Sequence, residues 1–430
     1  MHVQLLKGFL ILAVVWGLAA CDFDITNPGP IQEDALNDPG ARNSVVQGAN
    51  FALSEALWQV SYHGEESTNQ VTRSGRNFCC PKVPPRVGEL TRDATDNNTW
   101  NVAHEARFMA EDGARRFERV MDAEEFASSE FVARIQLIAG YANRILGENM
   151  CEAVIDGGEV QAGRVYFERA EAAFSAAIEV AQQAGEMDIV TAAYAGRASV
   201  RGPGLDNWTD AAADAQQVHD EFTYQAVYFS AEEDQQNHMW WLSSQSPWGD
   251  WTVFDSFFQS YYNDTGDTRT AWADRETSDT PAGLPLFEQQ KFLDPNDDVN
   301  LSSGREMRLL EAEAFLREGS LEPAMTLINE VRTSVISDDT GEPLDAHEAT
   351  TLDEGWAALM TERRVELWLE GRRMGDLRRW IGDDGVPNVM EEDMTNRIRL
   401  CMPINQAEVD SNPNVSSDHQ DPVNPIYVGG

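Results

Sequence analysis

Lysine is almost missing from this chain. Lys7, Lys82 and Lys291 are the only ones, so 29 of the 32 basic residues are arginine, and they face 73 aspartates and glutamates. The formal net charge is −41. A field of that sign repels phosphate backbones, which argues against nucleic acid as a partner, and it leaves no basic patch to hold the chain to an anionic membrane. Long apolar runs are equally scarce: beyond residue 18 no stretch reaches the roughly 18 uninterrupted apolar residues that a spanning helix needs. Common catalytic signatures are absent too. There is no His-Glu-x-x-His, no Walker loop, no Gly-x-Ser-x-Gly and no dinucleotide fingerprint, and the seven histidines are scattered. The expectation is a protein without cofactor, metal site or catalytic residues, and not an enzyme. Paired carboxylates of the glycosidase kind carry no weight, because 73 acids make such a pair easy to find anywhere. A glycan-active hydrolase on a helical scaffold stays open as the alternative.

The one apolar run lies at the N-terminus. Lys7 precedes Phe9 to Leu18, a stretch too short for a permanent span and of the length of a secretory signal. It ends in Leu18-Ala19-Ala20-Cys21, small residues before a cysteine, which resembles a bacterial lipobox. Cleavage before Cys21 and acylation of its sulfur would leave a lipid anchor, made firm by more than one acyl chain. Residues 1–20 are therefore read as a lipoprotein signal peptide and 21–40 as an acylated tether, with 41–430 as the folded domain. Export permits disulfides. Cys79, Cys80, Cys151 and Cys401 remain after Cys21 and admit three complete pairings, and no second close Cys or His pair points to zinc.

Helical periodicity dominates the folded part. Val45, Ala49, Leu53, Ala56 and Val60 mark one face; Val102, Ala106, Met109, Gly113 and Phe117 mark another; Phe131, Ile135, Ile138, Ala142 and Ile145 a third. Phe167, Ala170, Phe174, Ala177 and Ala181 follow, then Ile189, Ala193, Gly196 and Val200, with Gly202-Pro203-Gly204 predicted to stop that helix. Alanine and glycine in these stripes let helices approach closely while Phe or Leu fills the gap, the pattern of tetratricopeptide-type helical pairs. Pairs are expected near 131–184, 189–219 and 305–335. In the last, Met307, Leu310 and Ala314 are predicted to pack toward Ala324, Leu327, Ile328 and Val331, with the turn at Gly319-Ser320. The fold class is thus mainly α, a tetratricopeptide-like scaffold with a long irregular region.

That irregular, loop-rich insert spans about 222–300. It holds Trp240, Trp241, Trp248, Trp251 and Trp272 among Pro, Gly, Asp, Ser and Asn, with Tyr224, Tyr228, Tyr261 and Tyr262 between them. So many rings argue against disorder. Indole faces stack on the C–H faces of sugars while the indole N–H donates to hydroxyls. Trp240, Trp241, Trp248 and Trp251 are the candidate platforms, with Tyr261 and Tyr262 as accessories, and Tyr62, Arg73, Arg76 and Phe78 are placed at the same mouth. The competing reading is that these rings fill core between loops and scaffold. Asp294, Asn296, Asp298 and Asn300 alternate like the start of a calcium loop, but Val299 and Arg305 occupy its Gly and Glu positions. A solvated acidic turn is expected there.

Two segments carry a family resemblance. One is Arg305-Glu306-Met307-Arg308-Leu309-Leu310-Glu311-Ala312-Glu313-Ala314 with Ile328-Asn329-Glu330-Val331-Arg332. The other is Glu362-Arg363-Arg364-Val365-Glu366-Leu367, Glu370-Gly371-Arg372-Arg373 and Asp376-Leu377-Arg378-Arg379-Trp380. Together with the lipobox, Asn27-Pro28, and the tail Pro403-Ile404, Glu408 and Asn412-Pro413-Asn414, these resemble SusD/RagB outer-membrane nutrient-binding lipoproteins. The chain departs from the pattern at Arg372, Met374 and Gly375, where family members often carry His and aromatics, and ends in Asn424-Pro425-Ile426-Tyr427. The resemblance implies a surface lipoprotein, attached through Cys21 to the outer membrane and facing the cell exterior. It also implies capture of oligosaccharide, or in some members peptide, and transfer to a TonB-dependent, SusC-like transporter. A peptide-binding member or a protein-interaction scaffold is the other alternative. From the residues alone, Glu362/Glu366 and Glu366/Glu370 are like-charge i,i+4 pairs that destabilise a helix unless neutralised. Interleaved Arg363, Arg364, Arg372 and Arg373 are expected to neutralise them in a network clipping this helix to its neighbours, with an anion-binding cluster as the competing reading.

Overall fold

The computed structural model describes residues 33–74, 90–92, 97–244, 249–276, 284–381, 383–387 and 399–423. Residues 33–41 hold two 3-10 turns, Glu33–Asn37 and Pro39–Ala41. From Arg42 onward helices dominate. α1 (Arg42–Ser67), α2 (Asn97–Val120) and the short α3 (Ala123–Ala127) lead to a first pair, α4 (Glu130–Asn149) and α5 (Arg164–Ala184), joined by the hairpin β2 (Glu152–Val154) and β3 (Val160–Ala162). A second pair follows, α6 (Met187–Leu205) and α7 (Trp208–Ala215). The aromatic stretch contributes β4 (Thr223–Ala226), α8 (His238–Ser244), β5 (Trp251–Thr252), α9 (Phe257–Thr265), β6 (Trp272–Asp274) and β7 (Phe287–Gln289), and ends in β8 (Val299–Ser303). α10 (Gly304–Arg317) and α11 (Leu321–Thr333) make the third pair, followed by α12 (Leu352–Glu366), α13 (Arg373–Trp380) and α14 (Gln406–Ser411). The strands pair only two by two: β1 (Thr72–Arg73) with β5, β2 with β3, β4 with β8 and β6 with β7. Among the described residues no helix is long and apolar enough to cross a membrane.

The small-residue stripes work as expected. The Phe174 ring lies over Gly140 of α4 and Gly196 of α6, where an added β-carbon would come within 2.5 and 2.3 Å of it. Two expectations are corrected. Gly202-Pro203-Gly204 does not stop α6, which runs through it to Leu205 and ends at Asp206 in the left-handed conformation, φ 59°. Its glycines serve close packing: a β-carbon at Gly202 would meet Trp208 at 2.9 Å and one at Gly204 would meet Phe167 at 2.4 Å. On α10, Leu309, Ala312 and Leu316, rather than Met307 and Leu310, share a core with Ala324, Ile328 and Val331 of α11. Met307 and Leu310 instead pack with Ala195, Ala198 and Ala215 of α6 and α7. α10 is buried on both sides, so one stripe cannot describe it.

Of the four cysteines, Cys151 and Cys401 are bonded, across a separation of 250 residues; Cys79 and Cys80 lie outside the described residues. Beside the bond, the Cys151 N–H donates to Met402 O at 2.9 Å and the Met402 N–H to Asn149 O at 2.7 Å. Closing so long a loop restricts the unfolded chain, by about 5–6 kcal/mol on the chain-entropy account.

The charged run Glu362–Trp380 is a buried ion-pair network. Arg363 grips Asp376 with two bonds of 2.9 Å, and Arg379 adds a third contact at 2.8 Å. Arg372 reaches Glu306 at 2.8 Å and Glu148 at 3.1 Å, tying α10 and α4 together. Glu313 receives Arg379 and Arg317. Glu362, fully buried, is met by Arg269 and Arg332 at 2.9 Å and by His347 at 2.9 Å. Burial pushes Glu362 upward, but those three neighbours outweigh it and hold its carboxyl near about 2. Asp376 is likewise held well below the usual carboxylate range, burial being overcome by Arg363 and Arg379.

Candidate functional site

The C-terminal half of α1 changes character abruptly. Up to Val60 its buried face is apolar but for Ser54; then Ser61, His63, Glu65, Glu66, Ser67, Thr68 and Gln70 are all buried. The helix stops where Asn69 adopts φ 55° and the Gln70 N–H closes onto Glu65 O at 2.9 Å, a left-handed residue of the kind that ends helices. A polar run is buried only if other elements bring partners to it, and here they come from far along the chain. The Gly371 N–H donates to Glu65 Oε1 at 2.8 Å, and Glu66 Oε1 accepts from Trp251 Nε1 at 2.8 Å and from Arg73 Nε at 2.6 Å. Gly371 is required at φ 71°, since a β-carbon there would lie 2.5 Å from Ser61 Oγ. Burial pushes the Glu65 carboxyl up to about 8, against the Gly371 hydrogen bond and Lys291.

The aromatic stretch folds over this polar end. β1 pairs with β5 so that Arg73 faces Trp251, and Ser74 bonds Asp250 through both its N–H, at 2.7 Å, and its hydroxyl, at 2.9 Å. The Tyr62 ring lies 6.0 Å from that of Trp251, nearly parallel, with the Arg73 guanidinium 4.8 Å above Tyr62. One side further, Trp58 stacks on His238 at 3.9 Å, and His238 meets Trp241 at 5.6 Å. Burial, opposed by the Gln236 carbonyl, lowers His238 to about 4, so the stacked ring is neutral at ordinary pH. α8 is started by Asn237, whose Oδ1 accepts from the N–H of Met239 at 2.8 Å and of Trp240 at 3.1 Å. This fixes Trp240 and Trp241, both half-buried, at the edge of the core. Near these rings, buried oxygens of Ser61, Tyr62, Glu66 and Ser67 find no hydrogen-bond partner among the described residues. Flat rings beside unsatisfied polar atoms can hold a ligand that is apolar on its faces and hydroxylated at its edges.

The structure divides the predicted residues. Trp240 and Trp241 are half-buried beside Trp58 and His238. Trp251 is a correction: 1% exposed, with its N–H committed to Glu66, it is a core anchor and offers no face. Tyr261 and Tyr262 are corrected as well, for their partners lie elsewhere. Tyr261 stacks on Phe257 at 5.1 Å and accepts from Arg332 at 2.7 Å; Tyr262 donates to Asp338 at 2.9 Å. They fasten α9 to α11 and the following loop. Trp248, Arg76 and Phe78 lie outside the described residues. Trp58, His238, Glu65 and Glu66 escaped the sequence reading, although the run Ser61–Gln70 behind an apolar stripe carried a signal: too polar for a core helix, too continuous for a loop. The acidic stretch differs from a wholly solvated turn, for Asn300 lies in β8 and Asp298 is half-buried. Asp297 accepts from the N–H of Asp294 at 2.9 Å, Asn296 from Ser230 at 2.7 Å and Asp298 from Tyr228 at 3.0 Å.

Comparison with known proteins bears on this arrangement. The sequence model of the SusD family matches residues 305–397. Among solved structures, a SusD-like carbohydrate binding protein from Bacteroides vulgatus superposes with a TM-score of 0.65 at 13% identity, over 88% of this chain and 98% of that one. A SusD/RagB family protein from Bacteroides thetaiotaomicron gives 0.61 at 13% identity, over 87% and 94%. A SusD superfamily protein from Bacteroides fragilis gives 0.64 at 16%, over 88% and 99%. At such identities the likeness is one of fold. No curated protein sequence matches.

Proposed function

We propose that this chain, a member of the SusD/RagB family, captures oligosaccharide without altering it and hands it to a TonB-dependent, SusC-like transporter. In this reading it is attached to the outer membrane by lipid on Cys21 and faces the exterior. The observation that carries the ligand class is the pair of half-buried indoles Trp240 and Trp241 at the edge of the core, Trp241 beside the His238 that stacks on Trp58 of α1. The carbohydrate-binding relative from Bacteroides vulgatus supports it, and the lipobox before Cys21 supports the anchor.

The test is a glycan array probed with the mature, folded protein, with the same glycans incubated in solution and their products separated. The expected result is retention of particular glycans with no change in their chain length. Shortened products would establish the hydrolase alternative, and retention of peptides with no glycan signal would overturn the ligand class. Co-purification with a TonB-dependent channel from outer membranes tests the partner.

A further inference from the structure

Away from the indoles, two cavities meet at one aromatic residue. The first, about 540 Å³, lies between the N-terminal halves of α1 and α4, the start of α6 and β4. Its buried floor is Val46, Leu137 and Ile138; its more exposed edge carries Gln47, Asn50 and Arg134. The second, about 420 Å³, lies between β4, β8, α10 and α11, with Asn300, Ser303, Arg305 and Ser334 on its walls. Glu221, Phe222 and Thr223 line both, so Phe222 is their shared partition. Either volume falls in the range of small-molecule sites.

The lining has a consistent chemistry. Phe222, just before β4, and Tyr224 within it are half-buried, and Tyr224 is held flat against Tyr141 at 5.0 Å. A register shift between Tyr224 and Gln225 re-aims the strand at this point. Around the rings stand side-chain amides and hydroxyls: Gln47, Asn50, Gln225, Asn300, Thr223 and Ser303. The charged groups are already opposed. Arg134 pairs with Glu130 at 2.5 Å, Arg308 with Glu311 at 2.8 Å, and Arg305 stands 3.7 Å from Glu366. Asp188, Glu221 and Glu330 leave the walls net acidic, so a sulfated or uronic ligand is repelled.

We propose that the two cavities form one cleft that binds a neutral oligosaccharide across Phe222, a second site on the same molecule. The proposal rests on the carbohydrate-binding reading above but uses none of its residues. Gln47 and Trp58 are eleven positions apart on α1, which places the cleft roughly 16 Å along the helix from the indoles. A glycan long enough to touch both would gain from the high effective concentration of the second contact.

The experiment is calorimetric titration of the mature protein with neutral malto-, cello-, xylo- and fructo-oligosaccharides and, for contrast, with oligogalacturonate. Thr223→Trp, at an exposed strand position, fills the cleft without removing buried contacts; Phe222→Ala removes its partition; Trp240→Ala/Trp241→Ala disables the other site. The wild type is expected to bind a neutral sugar at two sites, with Thr223→Trp and Phe222→Ala each eliminating one or weakening it at least tenfold. A single site untouched by Thr223→Trp, or preference for oligogalacturonate, overturns the cleft while the indole site stands. Binding lost in Thr223→Trp but kept in the double tryptophan variant upholds the cleft and removes the indole site. Absence of binding to every sugar overturns both.

Discussion

Around Glu362–Trp380 the buried carboxylates meet arginines: Asp376 has Arg363 and Arg379, Glu313 has Arg379 and Arg317, Glu362 has Arg269 and Arg332. At the end of α1, Glu65 and Glu66 are equally buried but are held largely by a backbone N–H, an indole N–H and one arginine. Both regions place charge in the interior, yet they stabilise opposite protonation states. The network keeps Glu362, Glu313 and Asp376 ionised and fixes helix against helix. The α1 end favours protonated Glu65 and Glu66 beside aromatic rings. Matched burial serves as a clamp; mismatched burial is the kind of place where binding function resides.

The comparison breaks most visibly if one clamp partner is removed. Asp376→Ala leaves Arg363 buried without its carboxylate and is expected to cost about 3–5 kcal/mol, read from the urea midpoint; a shift equivalent to less than about 1 kcal/mol would mean the network is decorative. The next effects are opposite pH slopes. Glu362 is held down to about 2 in the fold against an ordinary 4.5, so its contribution is complete above 4.5 and lost as pH falls toward 2; Glu362→Gln should make the acid limb of the stability profile shallower, Asp376 and Glu313 supplying the rest. Glu65 sits near about 8, so the fold loses stability as pH rises from 4.5 to 8, when the unfolded chain ionises first. Glu65→Gln should make that alkaline limb shallower, Glu66 being raised to about 8 as well, and stabilise the protein at pH 9 by on the order of a few kcal/mol. Equal slopes in wild type and variant between pH 5 and 9 would contradict the contrast. A smaller effect is expected of Trp251→Phe, which gives up the Glu66 hydrogen bond inside the core, about 1–3 kcal/mol, and should leave ligand affinity alone.

Much of the helical scaffold could be read from its stripes, because alanine and glycine at helical spacing have few uses other than close helix approach, as Gly140 and Gly196 under Phe174 show. That a network would form was readable for a similar reason, since like charges repeated every four residues demand counter-charges, but its pairing was not: Glu362 is met by Arg269, Arg332 and His347 and Glu370 by Lys291, while Arg363 and Arg372 go to Asp376, Glu148 and Glu306. Three further things were not. Pro203 sits in the last turn of α6, where its helix-stopping tendency yields to packing of its flanking glycines on Trp208 and Phe167. Which tryptophan faces outward depends on partners about 185 residues away in the chain, as Trp251 and Glu66 demonstrate, and no local pattern encodes that. The burial of Ser61–Gln70 was not readable either, because polarity implies exposure unless distant groups, here Gly371 and Trp251, arrive to satisfy it.

The central claim is that Trp240 and Trp241 hold sugar while Trp251 holds the fold. It is tested most directly by titrating one array-selected neutral oligosaccharide into wild type, Trp240→Ala/Trp241→Ala and Trp251→Phe, with an unfolding curve for each. The account predicts at least a tenfold loss of affinity at the indole site in a double variant that still unfolds cooperatively, and in Trp251→Phe a lowered midpoint with affinity kept. Undiminished sugar affinity in a folded Trp240→Ala/Trp241→Ala protein would contradict it.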